Sequence, residues 1–168
     1  MRVCELFSGL GAQHSALENA GIDAEYVCCE IDPQAYAAYC AIHGDTPNLG
    51  DITKVEHLPE CDLLTWSFPC QDLSGASNVK AGMAEGSGTR SSLAWEVIRL
   101  VRDAVARGVP PRALVMENVP AILSPKNEPE FRRMTDALAQ LGYASRYAVL
   151  NAKDYGVPQS RKRCFMVS

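Results

Sequence analysis

Apolar and polar positions fall into short buried runs separated by longer amphipathic stretches. Residues 2–7, Arg-Val-Cys-Glu-Leu-Phe, read as a strand, and Ser8-Gly9-Leu10-Gly11 as a tight turn. Residues 12–20 read as a helix ended by Gly21, and 24–29 as a second strand. Asp32 then caps a helix with Pro33 at its first position, running through Ala35, Ala38 and Ile42 to about His43. Residues 48–52 suggest a third strand with a turn, and 62–67 a fourth strand. Apolar residues at 93, 97, 100, 101 and 105 mark an amphipathic helix reaching about Arg107. Residues 112–116 give a fifth strand, followed by Glu117-Asn118-Val119-Pro120. Asn127-Glu128-Pro129-Glu130 resembles a capping box before a helix with apolar positions 131, 134, 138 and 141. Two last strands, 143–150 and 163–167, flank a loop containing Tyr155-Gly156-Val157-Pro158.

Strands alternating with helices predict an α/β fold, a doubly wound and mainly parallel sheet. No repeat or linker divides the 168 residues, so residues 1–168 are expected to form one domain. Such sheets bind ligands beyond the carboxyl ends of their strands. The glycine turn, Glu30, Asp51, Cys70 and Glu117 all fall at expected strand ends or just past them.

Composition narrows the class. Hydrophobic residues make up 47% and charged residues 21%, enough apolar material for a core. No apolar run approaches the roughly 20 residues that span a bilayer, and no signal peptide is recognisable. The seven cysteines are odd in number and contain no Cys-x-x-Cys pair, so neither a zinc site nor a disulfide framework is expected. A soluble protein of a reducing, cytoplasmic compartment follows. The net charge of −4 is not the footprint of a strong nucleic-acid binder, so contact with a polyanion would rest on local clusters such as Arg161-Lys162-Arg163 or on a partner.

The candidate chemistry centres on Ser67-Phe68-Pro69-Cys70-Gln71-Asp72-Leu73-Ser74, where a strand gives way to a loop. Most free cysteines are inert core residues; Pro69 before Cys70 and polar residues after it argue for exposure. Residues 71–92 hold four glycines and five serines, and loops this long in compact domains are usually functional or disordered. The Gly9-x-Gly11 turn lets a ligand approach backbone at a helix N-terminus, but alone it fits an ordinary turn equally well. Glu30 could accept bonds from both hydroxyls of a ribose, and Asp51 could bind an adenine amino group or simply form a turn. Glu117 and the basic run 159–163 could be surface features.

Taken together, Phe7-x-Gly9-x-Gly11, Glu30, Asp51, Pro69-Cys70-Gln71, Glu117-Asn118-Val119 and Gln159-x-Arg161-x-Arg163, in that order, resemble the cytosine-5 DNA methyltransferase family over nearly the whole chain. The resemblance implies a Rossmann-like catalytic domain that uses S-adenosylmethionine to methylate carbon 5 of a cytosine flipped out of duplex DNA. It implies Cys70 as the nucleophile at carbon 6, Glu117 at ring nitrogen 3 and the amino group, Arg163 at the ring carbonyl, and Arg161 supporting that pocket. For the cofactor it implies Phe7, Ser8, Gly9 and Gly11 on the methionine side, Glu30 on the ribose, Ile31 on adenine, Asp51 and Ile52 at the adenine edge, and Pro69 close by. The 71–92 loop would close over the base.

Members of that family continue past Gln-x-Arg-x-Arg into a target-recognition region and an Asn-Ser segment that completes the cofactor pocket. Their absence here raises three expectations. The chain could be half of a split enzyme whose second subunit reads DNA, a fragment of low activity with weak cofactor binding, or a silent nucleoside-binding or regulatory module. The intact Cys70, Glu117 and arginines argue against the last. A dehydrogenase-like nucleotide domain is disfavoured by His14 where a third glycine would stand. A tRNA-directed enzyme of the same fold typically differs around the cysteine motif.

Overall fold

The computed structural model describes residues 1–71, 73 and 83–168. Asp72, Ser74 and most of the glycine- and serine-rich part of the 71–92 loop lie outside the described residues, and with them the expectation of a closing lid. The chain forms two compact units, Met1–Ser67 with Arg99–Leu114, and Phe68–Ile98 with Val115–Ser168. Six strands follow the order β2-β1-β3-β4-β6-β5 in one sheet.

In the first unit, β1 (Arg2–Leu6) pairs in parallel with β2 (Glu25–Cys29) on one side and β3 (Leu63–Trp66) on the other. Four consecutive residues of β1 are buried, as a strand covered on both faces requires. Helix α1 (Ala12–Asn19) follows the glycine turn, and α2 (Pro33–His43) follows β2. Asp32 caps α2 as expected, its Oδ1 accepting from the N–H groups of Gln34 and Ala35. The buried face of α2 is not the one read from Ala35, Ala38 and Ile42: Ile42 is 59% exposed and Tyr39 is fully buried. Nor do residues 48–52 form a strand. Asn48 makes a single bridge to Cys28, and Ile52–Lys54 turn as a short 3-10 helix capped by Asp51. The Asn48 side chain takes the bonds a strand neighbour would have made. Helix α3 (Ala94–Ala106) begins after a 3-10 turn at Arg90–Leu93. In this unit Arg99 and Arg107 donate to the carbonyls of Val55 and Leu58 and fix the return of the chain to β3.

The second unit is built on β4 (Ala113–Asn118), β5 (Arg146–Asn151) and β6 (Lys162–Val167), with β6 antiparallel to both others. The reversal follows from the connection. Residues 152–161 hold only a 3-10 turn, too short for the crossover that a parallel pair needs. Strand β4 runs two residues further than its apolar pattern suggests, so Glu117 and Asn118 lie inside it. Helix α4 (Glu128–Gln140) buries Phe131, Met134 and Leu138, three of its four expected apolar positions. The expected capping box is not made. Asn127 forms no side-chain cap and Glu130 binds Arg133 instead. No helix among the described residues is long and apolar enough to cross a membrane.

Candidate active site

In the first unit the glycine turn is set by backbone that ordinary residues avoid. Phe7 has φ +58° and Gly9 and Gly11 have φ +53° and +77°. Phe7 N–H donates to the Cys29 carbonyl at 2.8 Å, so β1 is still tied to β2 where the turn begins. A Cβ on Gly11 would sit 2.5 Å from His43 Nε2 and 2.7 Å from Tyr39. The second glycine of the motif is therefore demanded by packing against α2 as well as by its φ. Gly11→Ala is expected to destabilise the chain by about 2–4 kcal/mol, the sum of a left-handed alanine and an overpacked contact. Chemical denaturation measures it, and Gly9→Ala, whose Cβ meets nothing within 4 Å, is the milder control.

Glu30 closes over this turn. Its Oε2 accepts from Gly9 N–H at 2.9 Å and its Oε1 from Asp32 N–H at 2.8 Å. Sequence reasoning missed Asn48, which holds Glu30 in place. Its Oδ1 accepts from the N–H groups of Glu30 and Gly50, and its Nδ2 donates to the Glu30 carbonyl. Next to this carboxylate, Ile31 is 70% exposed, an apolar face beside a hydroxyl-binding group. Asp51 accepts from Thr53 N–H and Oγ1, and those bonds hold its carboxyl below the usual range. Ile52 is buried, so only its backbone could face a ligand, and the Ser8 side chain is likewise turned inward. A fixed carboxylate, an exposed isoleucine and a second carboxylate on the same unit fit the ribose and base of a nucleoside.

Behind the turn lies a polar network that the strand pattern did not reveal. Glu5, fully buried on β1, accepts from Tyr39 Oη, and His14 Nδ1 lies 2.8 Å from the same Oη. His14 stacks between Tyr26, at 3.5 Å, and His43, at 4.0 Å. Both imidazoles approach Glu18 at 3.5 Å, and His43 Nε2 lies 3.2 Å from the Leu10 carbonyl of the turn. Donor atoms of His14, Glu18 and His43 lie within 4.8 Å of one another, close enough to invite a metal ion. Imidazole lone pairs lie in the ring planes, however, and face-to-face rings do not aim them at one point; a proton shared with Glu18 suits the arrangement better. Burial raises the Glu5 carboxyl pKa, against the opposing bond from Tyr39, and burial lowers that of His14. A raised carboxyl favours the folded state below the ordinary carboxylate pKa and loses that advantage as pH rises through its folded value. Glu5→Gln is accordingly expected to be more stable than the parent at pH 7.5 and to lose that advantage near pH 4, read by denaturation at the two values.

In the second unit the loop carrying Cys70 is held by its backbone. The Phe68 carbonyl accepts from Asn118 Nδ2 at 3.0 Å, and the Pro69 carbonyl from Ser91 Oγ at 2.7 Å. The Cys70 carbonyl accepts from Leu73 N–H at 3.0 Å. Gln71 Oε1 accepts from Arg90 at 2.7 Å, and the Leu73 carbonyl from Asn127 Nδ2 at 3.1 Å. Cys70 and Cys40 are half-buried, and the other five cysteines are buried. Burial pushes the thiols of Cys28 and Cys61 up to about 11 and Cys29 to about 12, and raises Cys4 and Cys164 as well. Those five stay protonated and unreactive at neutral pH.

Register explains the pairing of Glu117 with Arg163. Glu117 stands opposite Phe165 on β6, so Arg163, two residues away on the same face, is its diagonal neighbour. Arg163 Nε donates to Glu117 Oε1 at 2.7 Å, the two side chains being 24% and 22% exposed. The other face, with Met116, Asn118, Cys164 and Met166, is buried. Arg161 is exposed and precedes β6; its backbone carbonyl accepts from Ala152 N–H and closes the β5–β6 connection.

A family profile described as C-5 cytosine-specific DNA methylase matches residues 1–168. The orphan methyltransferase M.SssI of Spiroplasma monobiae is 49% identical over 125 residues, 74% of this chain and 32% of that protein. The orphan methyltransferase M.Rho11sI of Bacillus phage rho11s is 35% identical over 99% of this chain and 32% of its own length. The type II methyltransferase M2.ScrFI of Lactococcus lactis subsp. cremoris is 30% identical over all of this chain and 61% of its own length. The chain thus spans between a third and three-fifths of these curated relatives. Among solved structures, the S. pombe Dnmt2 methyltransferase superposes with a TM-score of 0.74 at 26% identity, over 99% of this chain and 48% of that one.

Proposed function

The chain belongs to the C-5 cytosine-specific DNA methylase family, and from that premise we propose that it carries the methyl-transfer site for carbon 5 of cytosine in DNA. Its first unit is the cofactor half. S-adenosylmethionine, when bound, supplies an electrophilic methyl group on a sulfonium sulfur. Glu30 would hold its ribose, Ile31 and Asp51 its adenine, and the backbone of Phe7 to Gly11 its methionine end. Residues 1–168 act as one catalytic domain in this reading.

The second unit supplies the chemistry. Carbon 5 of cytosine is a poor nucleophile until carbon 6 is substituted. The Cys70 thiolate forms the Sγ–C6 bond, and the displaced double-bond electrons become available at carbon 5. Glu117 binds ring nitrogen 3 and the exocyclic amino group and directs a proton to nitrogen 3, so the ring does not carry a full negative charge. Arg163 fixes Glu117 through Nε and is itself steadied by Nη1, which donates to the Lys162 carbonyl at 2.8 Å, so Nη2 would meet the ring carbonyl. Arg161, at the head of β6, supports the same pocket. Loss of the carbon 5 proton to a base restores the ring double bond and expels the thiolate. A cytosine within a duplex reaches Cys70 only after flipping out.

The observation that carries this reading is the 2.7 Å Glu117–Arg163 pair, in the same compact unit as a half-buried cysteine whose neighbouring carbonyls are individually held. The test is transfer of labelled methyl from S-adenosylmethionine to cytosine-containing duplex DNA, followed by digestion to nucleosides. Label in 5-methylcytosine is the expected result; label only in RNA, or none in either, would overturn it. The curated relatives hold their additional length within one polypeptide, which lends no support to a separate recognition subunit.

A further inference from the structure

Asn127 stands immediately before α4, where an asparagine side chain ordinarily accepts from the first N–H groups of the helix. It makes no such bond. Its Nδ2 instead donates to the Leu73 carbonyl at 3.1 Å, the Ala121 carbonyl at 2.9 Å and Ser124 Oγ at 3.2 Å. The residue is 2% exposed, so these bonds are made away from water, where an unpaired carbonyl is costly. Two of the three acceptors are main-chain atoms of segments that matter. Leu73 closes the turn that begins at Cys70, its N–H bonded to the Cys70 carbonyl. Ala121 belongs to the 3-10 turn, Pro120–Leu123, that leaves the strand carrying Glu117. One buried amide therefore joins the chain leaving Cys70 to the chain leaving Glu117. Asn118 makes the corresponding bond on the entering side, to the Phe68 carbonyl. Cys70 is bracketed by two side-chain amides, and only Asn118 lies within the Glu117-Asn118-Val119 motif.

On the methyl-transfer reading above, on which this rests, we infer that Asn127 is a positioning residue for thiolate addition. It fixes the Cys70 loop to the segment following Glu117, so that nucleophile and carboxylate meet the same ring. A residue that merely stabilised α4 would lower the melting temperature and leave the rate of addition alone. A positioning residue changes that rate while DNA affinity stays.

The experiment compares Asn127→Ala with Met134→Ala, which removes a buried side chain from the same helix and keeps the amide of Asn127. Each full chain is mixed with saturating S-adenosylmethionine and saturating duplex DNA carrying 5-fluorocytosine, whose fluorine blocks the final elimination once carbon 5 is methylated, and the rate of covalent trapping, the DNA affinity and the amide exchange of Leu73 are measured. Asn127→Ala is expected to slow trapping by about 10–100-fold, as small misplacements of reacting groups do, with unchanged DNA affinity and faster exchange at Leu73. Met134→Ala is expected to trap at the parent rate. Equal slowing in both variants, or parent-like trapping by Asn127→Ala, overturns the inference. Should Asn127→Ala not fold, Asn127→Ser keeps one donor and is expected to fall between parent and alanine; parent-like trapping by it would be equally fatal. Failure of the parent itself to trap DNA would remove the underlying reading instead. The staple is then judged without DNA, by the rate at which iodoacetamide alkylates Cys70. Loss of the Asn127 bonds should shift that rate by about fivefold or more through local opening, and an unchanged rate overturns it.

Discussion

Cys70→Ser is expected to abolish covalent trapping of 5-fluorocytosine DNA and to lower methyl transfer by about 10⁴-fold or more, the scale on which loss of an essential nucleophile is felt. Among the described residues the bonds at Phe68, Pro69 and Cys70 run through their carbonyls and not through the sulfur, so the serine variant should fold as the parent does. Five of the other six thiols are buried, and Cys40→Ser is the control for the sixth. Cys28, Cys29 and Cys61 are pushed to about 11, 12 and 11 by burial, and Cys40 sits within α2. The measurement is a denaturing gel shift of the protein–DNA adduct beside a thermal melt of each protein. An adduct formed by the serine variant would take Cys70 out of the chemistry.

The second large effect is expected from Glu117→Gln. Glutamine keeps the size of the side chain and can still accept from Arg163 Nε, so the β4–β6 register and the melting temperature should hold. What it loses is the ability to direct a proton to ring nitrogen 3. General acid–base assistance contributes about 10²–10⁴-fold, and the single-turnover rate at saturating DNA should fall by that amount. The affinity for DNA should change little. A variant that turned over at the parent rate would reduce Glu117 to a partner for Arg163 and nothing more.

The alternation of strands and helices was legible because it depends on local periodicity. So was Asp32 as the cap of α2, since Asp-Pro at a helix start leaves few alternatives. The individual site residues could be named by their motif, but their pairing could not. Glu117 meets Arg163 only because β6 runs antiparallel to β4 with Glu117 opposite Phe165, and register between strands this distant in the chain has no local signature. Residues 48–52 misled for a related reason. Their apolar content suits a strand, yet Asn48 satisfies the neighbouring backbone with its own amide. Asn127 misled in the opposite sense: Asn-x-x-Glu reads as a cap, and the same letters serve equally well to reach across to Leu73. Glu5 and His14 were invisible as partners because a buried glutamate on a strand is set by what arrives from α1 and α2, far along the chain.

The column of Tyr26, His14 and His43 offers a spectroscopic handle on the glycine turn. Imidazole protons pressed between aromatic faces at 3.5 and 4.0 Å should be shifted well upfield by ring currents, away from the crowded aromatic region. His43 is also anchored to the Leu10 carbonyl, so any ligand that moves the turn must disturb its shielding. Occupancy of the nucleoside half could then be followed by one-dimensional proton NMR on the unlabelled protein, with neither a dye nor a radioisotope.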